Sequence, residues 1–286
     1  MEINALAECV ASFYISTDPY EWGSNLVPPT KENLLVFCKY LLSSEEGVRI
    51  VLRNIEDWGR FLECGGDANP YTTLITEIKE VYREYQIKTL EPELALIQNK
   101  KVRSLVERVL RKVPDGFFID AASSSGKYHP AFSLGEGGLV RHTKAAVWFA
   151  RQRLWITGHP LAGQSDVIYG AILLHDSAKR GLKWESPYRH EHPLLVIKYL
   201  SAAEMDHEEI GIWSEINTLI RTHMGQFTTS PHSEFVLPPI RTSAQLFVHE
   251  CDYLASKKEL VGLDIFEPQK GEMTYGNEKK EGNTHS

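Results

Sequence analysis

A histidine followed directly by an aspartate, His175-Asp176, ends an apolar run in the stretch YGAILLHDSAKR. Ile168, Ala171, Ile172 and His175 recur at helical spacing, so they predict a helix with one buried face. Neighbouring side chains on a helix point about 100° apart, so both reach one ligand only where a helix end meets a pocket. Burying the two groups unpaired costs several kcal/mol, which favours a metal ion or a partner group beside them.

Further ionisable side chains fall at inward or helix-end positions of helices predicted within residues 139–255, namely His142, His192, His223 and Asp252. One buried histidine is usually satisfied by a hydrogen bond, but four histidines and two aspartates on neighbouring helices are hard to satisfy by pairing alone. Imidazoles and carboxylates suit Mn, Fe, Co or Zn, and a carboxylate beside a histidine can bridge two ions ~3.5–4 Å apart. The pattern predicts a centre of two divalent transition-metal ions, with Mg left open.

The ordered set H…HD…H…H…D resembles the HD-domain metal-dependent phosphohydrolase superfamily, which has an all-α fold. The four ligands that define the superfamily correspond to His142, His175, Asp176 and Asp252. The additional pair found in its two-metal members corresponds to His192 and His223. The sequence HDSAK at 175–179 is similar to the motif HDxGK, with Ala178 in place of glycine, and GGLVRHT at 137–143 is similar to the start of exonuclease-like members. The resemblance covers about residues 125–256.

The resemblance implies a phosphohydrolase that cleaves a phosphoester bond of a nucleotide or oligonucleotide with a metal-activated water. Asp176 would bridge the two ions, and Lys179, one helical turn later, would bind a phosphate oxygen. Lys127, Arg141 and Arg189 are candidate substrate-binding cations, although a solvated surface position would explain each equally well. The other histidines, including His129 and His249, are predicted to be non-ligands.

Two rival functions use the same residues. Di-iron oxygenases of this superfamily, such as myo-inositol oxygenase, carry the same six ligands and oxidise a C–H bond. A catalytically idle module would only bind a nucleotide or a protein partner. The cations near the proposed metals favour a phosphate substrate, and the complete ligand set argues against the idle module.

Apolar stripes at helical spacing predict helices along most of the chain, and hence an all-α fold with a helical bundle around the site. Residues 1–116 are predicted to form a helical region of unknown role, with its last helix spanning 92–112. Residues 117–262 are predicted to form the metal-binding domain. The polar stretch 263–286 has no periodic stripe and is predicted to be a disordered tail.

Composition limits the partners. The 286-residue chain is 42% hydrophobic and 24% charged, and its net charge of −7 argues against a surface that grips nucleic acid as a whole. A phosphorylated small molecule, a nucleotide or a short single-stranded nucleic acid fits a local cationic pocket, and homo-oligomerisation is left open. The four scattered cysteines lack zinc-ribbon spacing, and no apolar run approaches the ~18 residues of a membrane span. We therefore expect a cytoplasmic protein without a membrane partner.

Overall fold

The computed structural model describes residues 3–16, 31–64, 69, 71–123, 129–184 and 188–258. Within these ranges the chain forms twelve α-helices and no β-strand, which confirms the predicted all-α fold. The helices are α1 (Ile3–Ser16), α2 (Lys31–Leu42), α3 (Glu45–Cys64), α4 (Thr72–Lys88), α5 (Glu91–Leu94), α6 (Lys100–Lys112), α7 (Gly116–Ile119), α8 (Gly138–Leu154), α9 (Ser165–Leu174), α10 (His192–Leu195), α11 (His207–Ile220) and α12 (Ser243–Ala255).

Two hydrophobic cores hold the helices together. The smaller core is built by α1 to α4 and includes Leu6, Leu42 and Ile55. The larger core begins at Ile87 and extends to Ala255, taking in α6, α8, α9, α11 and α12. The helices that follow Ile87, including α6, therefore pack with the helices that carry the six proposed ligands.

Helix α9 is the centre of the larger core. It packs against α6, α8, α11 and α12, and every residue from 168 to 174 is buried. A Cβ atom on Gly170 would lie 3.0 Å from Cγ2 of Val106, so α6 can approach α9 this closely because of the glycine. The carboxyl end of α9 therefore brings the His-Asp pair into the interior of the bundle.

The predicted continuous helix over 92–112 is wrong, because the chain breaks between α5 and α6. The side chain of Asn99 accepts hydrogen bonds from the backbone N–H groups of Lys101 and Val102, at 2.9 and 3.2 Å, and so begins a new helix. The carboxylate of Asp166 accepts from the backbone N–H groups of Gln98 and Asn99. These caps tie the start of α6 to the start of α9.

The predicted tail, residues 263–286, lies outside the described residues. The domain limits 1–116 and 117–262 stay predictions. Among the helices that the structure describes, none is both long and apolar enough to cross a lipid bilayer.

Candidate metal centre

Helix α8 begins at two consecutive glycines that the local backbone requires. Gly137 has a φ of 71°, in the left-handed region that favours glycine. A Cβ atom on Gly138 would lie 2.2 Å from the carbonyl oxygen of Ser133, so the preceding loop can pack directly on the helix start. This packing fixes the first turn of α8, and His142 follows it with a buried side chain. The predicted inward orientation of His142 is confirmed.

The His-Asp pair lies in the turn that follows the last residue of α9. His175 directs Nδ1 to the carbonyl oxygen of Ile172 at 2.6 Å. Because a carbonyl oxygen only accepts, Nδ1 donates, and in the neutral ring the lone pair of Nε2 faces the interior. Asp176 is buried beside it and accepts a hydrogen bond from Nζ of Lys179 at 2.7 Å. Both members of the pair reach the same space because the helix ends here.

His192 and His223 are oriented by the same kind of contact. Nδ1 of His192, the first residue of α10, donates to the carbonyl oxygen of Arg189 at 2.7 Å. Nδ1 of His223 donates to the carbonyl oxygen of Ile220 at 2.8 Å. The apolar spacing predicted that His223 lies on the helix. The structure instead places it in the turn after α11, which ends at Ile220. The Nε2 atoms of the two rings lie 3.2 Å apart.

Six side chains form two adjacent clusters, and within each cluster the candidate ligand atoms lie within 4.8 Å of one another. The first cluster consists of His142, His175 and Asp252, and the second of Asp176, His192 and His223. In the first, Oδ1 of Asp252 lies 2.9 Å from Nε2 of His142 and 3.5 Å from Nε2 of His175. In the second, Oδ1 of Asp176 lies 3.0 Å from Nε2 of His192 and 3.8 Å from Nε2 of His223.

Asp176 also connects the two clusters, because its Oδ2 lies 3.6 Å from Nε2 of His175. The structure thus brings together all six residues that the sequence analysis proposed as ligands. They come from α8, the turn after α9, α10, the turn after α11, and α12.

The chemistry of these donor atoms fits a cation. Three rings with protonated Nδ1 atoms turn their Nε2 atoms towards two carboxylates. The facing lone pairs of His192 and His223 repel each other unless a proton or a metal ion lies between them. Nε2 of His175 is buried and makes no hydrogen bond. Each cluster could therefore hold a metal ion.

The charges of the site shift the pKa values of its members. Burial would raise the pKa of Asp176, but the ammonium of Lys179 and the ring of His175 hold it well below its usual value. Burial would lower the pKa of His175, but the carboxylates of Asp176 and Asp252 raise it to about 9. Burial, together with the rings of His175 and His192, lowers the pKa of His223 to about 3. A metal ion that binds His175 at neutral pH must therefore displace a proton.

Through His223 alone, the metal-free protein is expected to lose about 1–2 kcal/mol of unfolding free energy between pH 6.5 and pH 5. The unfolded chain protonates His223 below pH 6.5, whereas the folded protein, with a pKa of about 3 for this ring, does not. Stability from the neutral ring is therefore present above pH 6.5 and lost as the pH falls. His175, whose pKa is raised to about 9, has contributed nearly all of its stabilisation by pH 6.5.

This dependence can be measured as the urea midpoint in the presence of a chelator. His223→Gln should make the curve less steep between the two pH values, and the slope that remains comes from His129, whose pKa is also lowered, to about 4. A wild-type midpoint that stays constant over this interval would contradict a neutral, buried His223.

The two clusters open into a cavity of about 350 Å³. Lys179, a predicted site residue, lines this cavity. Arg180 lines it too, although it was not predicted to belong to the site. Arg180 pairs with Asp120 at 3.2 Å. Aromatic side chains form much of the remaining wall, including Trp184 and Tyr188.

Arg141 lies outside this cavity. Its guanidinium donates to three backbone carbonyl oxygens of the loop before α8, those of Phe132, Leu134 and Glu136. The side chain therefore holds the loop in place, and the structure gives it no contact with the cavity that would support binding of substrate there.

Arg189 also lies away from the clusters. It pairs with Glu191 at 3.2 Å and lines a separate shallow pocket together with Lys183. Lys127 lies outside the described residues. Of the three proposed cations that the structure describes, Lys179 alone reaches the two clusters.

Two histidines that were predicted to be non-ligands line the same cavity, although neither belongs to a cluster. The ring of His129 lies 5.6 Å from that of His142, and burial, followed by the nearby ring of His142, lowers its pKa to about 4. Nδ1 of His249 donates to the carbonyl oxygen of His223 at 2.7 Å. His249 precedes Asp252 by one helical turn, which is the signal that could have placed it at the cavity.

No family model, curated protein or solved structure matches the chain. The His/Asp clusters in a helical protein are compatible with an HD-type site. The superfamily stays a resemblance, carried by the order of the six residues.

Proposed function

We propose that the protein is a metal-dependent phosphohydrolase that cleaves a phosphoester bond of a nucleotide or short oligonucleotide. The observation that carries the proposal is the position of Lys179, whose Nζ lies 2.7 Å from Oδ2 of Asp176, at the junction of the two clusters. An ammonium group beside metal ligands is suited to a phosphate oxygen. The first cluster would hold one divalent ion and the second another, with Mn, Fe, Co or Zn favoured by the donor atoms and Mg left open. When bound, such ions supply Lewis acidity and a water of lowered pKa.

The protein's own side chains would bind and orient the substrate. Lys179 would bind the phosphoryl group and stabilise the negative charge that develops on it. Arg180 lies in the same cavity and would attract an anionic substrate. Trp184, Tyr188 and Phe227 provide flat apolar surfaces against which a nucleobase can pack.

The proposal is tested by incubating the protein with nucleotides, cyclic dinucleotides and short oligonucleotides in Mn, Fe, Co or Mg. Release of phosphate, nucleoside or nucleotide supports the hydrolase. Consumption of O₂ without any release would favour the oxygenase. Nucleotide binding with neither reaction would identify an idle module.

Lys179→Ala is expected to lower phosphoester turnover by about one to two orders of magnitude, because it removes a charge-assisted contact worth ~1.5–3 kcal/mol. Metal content should not change, since Lys179 belongs to neither cluster. Steady-state kinetics and elemental analysis measure the two effects separately.

Lys183→Ala is a matched control, because Lys183 lies four residues further along and lines the separate shallow pocket. It should retain the parent rate. A Lys179→Ala enzyme as fast as the parent on every cleaved substrate would remove Lys179 from the mechanism.

A further inference from the structure

Aromatic side chains gather where the cavity beside the metal clusters meets solvent. Tyr188, Phe227 and Tyr253 line this cavity and are 45%, 52% and 42% exposed. Trp184 lines it as well and is less exposed. Large apolar side chains left half exposed around a pocket mark a surface that another molecule covers. A single nucleobase has only two faces, so four rings offer more surface than one base can cover.

Two loops bring Tyr188 and Phe227 to the side of the second cluster. Nε2 of His190, in the loop before α10, donates to the carbonyl oxygen of Thr228 at 3.2 Å. This bond ties the segment that carries Tyr188 to the loop after α11, where Phe227 directly precedes Thr228. The ring of Tyr188 also lies 5.7 Å from that of His192, a member of the second cluster. One pair of rings therefore stands beside this cluster.

A further ring stands beside a member of the first cluster. Tyr253 directly follows Asp252, and its ring lies 6.0 Å from that of His249. Nζ of Lys257 lies 3.8 Å from the centroid of the Tyr253 ring and forms no ion pair within the part of the chain that the structure describes. A positive charge is thus held next to this ring, where it can meet a phosphate group.

The charges at the cavity suit a short stretch of strand. Lys179 and Arg180 line the cavity, and Lys257 adds a third cation beside Tyr253. Three cations can contact only a few phosphates, and the net charge of −7 gives no general attraction for a polyanion. Most of the affinity for a nucleic acid must therefore come from stacking on the rings.

We propose that the cavity binds single-stranded nucleic acid, with one phosphodiester group at the metal clusters and Lys179, and with a base stacked on either side of it. Tyr188 and Phe227 would take the base beside the second cluster, and Tyr253 the base beside the first. This substrate assignment rests on the proposed function, because it concerns the same site, and it selects a diester over a monoester. Every base has a π face, so the strand is bound whatever its sequence.

The test compares three uridine compounds by calorimetry with the full chain, in a chelator that prevents cleavage. The dinucleotide UpU has one diester and two bases, the methyl ester of UMP has one diester and one base, and UMP carries more negative charge with one base. UpU is expected to bind at least about 10-fold more tightly than the methyl ester, because a second base stacks. It should also bind more tightly than UMP, which charge alone would favour. The thymidine dinucleotide, tested in parallel, shows whether the strand is RNA or DNA.

Phe227→Ala and Tyr253→Leu should each reduce the advantage of UpU over the methyl ester to about twofold or less, since one of the two stacking surfaces is lost. Both side chains are half exposed, so the changes should leave the fold intact. Phe235→Ala is the matched control, because Phe235 is 53% exposed and does not line the cavity. It should keep the full advantage.

A parent protein that binds UpU and its thymidine counterpart no more tightly than the methyl ester overturns the assignment, even if it cleaves mononucleotides and so remains a hydrolase. An advantage that Phe227→Ala and Tyr253→Leu both retain overturns it too, because the rings would not be its source. The expected binding without cleavage of any phosphoester would instead refute the hydrolase and leave a site for single strands.

Discussion

Asp176→Asn is expected to release both metal ions and to lower phosphoester hydrolysis at least about 1000-fold. One oxygen of Asp176 faces the rings of His192 and His223, and the other lies 3.6 Å from His175, so this carboxylate alone contacts both clusters. Asparagine keeps the size of the side chain but removes the charge and one acceptor. The change therefore tests the chemistry of the site with little effect on packing.

Elemental analysis after dialysis against metal-free buffer and the initial rate of product release measure the two losses. Asp115→Asn is the control, because Asp115 is an aspartate that pairs with Arg83 and lies outside both clusters. It should keep the metals and the rate. An Asp176→Asn protein with undiminished metal content would refute the assignment of Asp176 as the bridging ligand.

His192→Ala is expected to remove one of two ions and to lower the rate at least about 100-fold, because it belongs only to the second cluster. His142→Ala should remove the other ion, since it belongs only to the first. Each of the two variants should therefore bind one ion per chain. Metal titration of the purified proteins measures this number.

His249→Ala serves as the matched control. His249 lines the same cavity but contributes to neither cluster, so the variant should bind two ions. Retention of two ions and full activity by His192→Ala would show that His192 is a core residue and not a metal ligand.

The residues of the candidate centre could be predicted from sequence because helical periodicity fixes the direction of a side chain before the fold is known. His142 on α8 followed an apolar stripe into the core. His175 and Asp176 could be placed at a helix end because two adjacent side chains can share one space only there. The tautomers of the rings were not predictable, since they depend on carbonyl oxygens in the turns that the chain forms after α9 and α11.

The cations around the site were harder to predict, because a long basic side chain can reach many partners. Arg141 directly precedes the proposed ligand His142 in the sequence. Its guanidinium nevertheless donates to three carbonyl oxygens of an irregular loop. Periodicity also missed the break before α6, where the cap at Asn99 prevails over a continuous apolar stripe.

The contact between Nε2 of His142 and Oδ1 of Asp252 joins α8 to α12 across 110 positions of the sequence. Closing a loop of that length has an entropic cost that the packing of the larger core must offset. A nascent chain therefore cannot assemble the first cluster until α12 has left the ribosome. A truncated version that stops before Ala255 lacks part of the helix that carries Asp252, so an expression boundary that preserves the centre must lie beyond it.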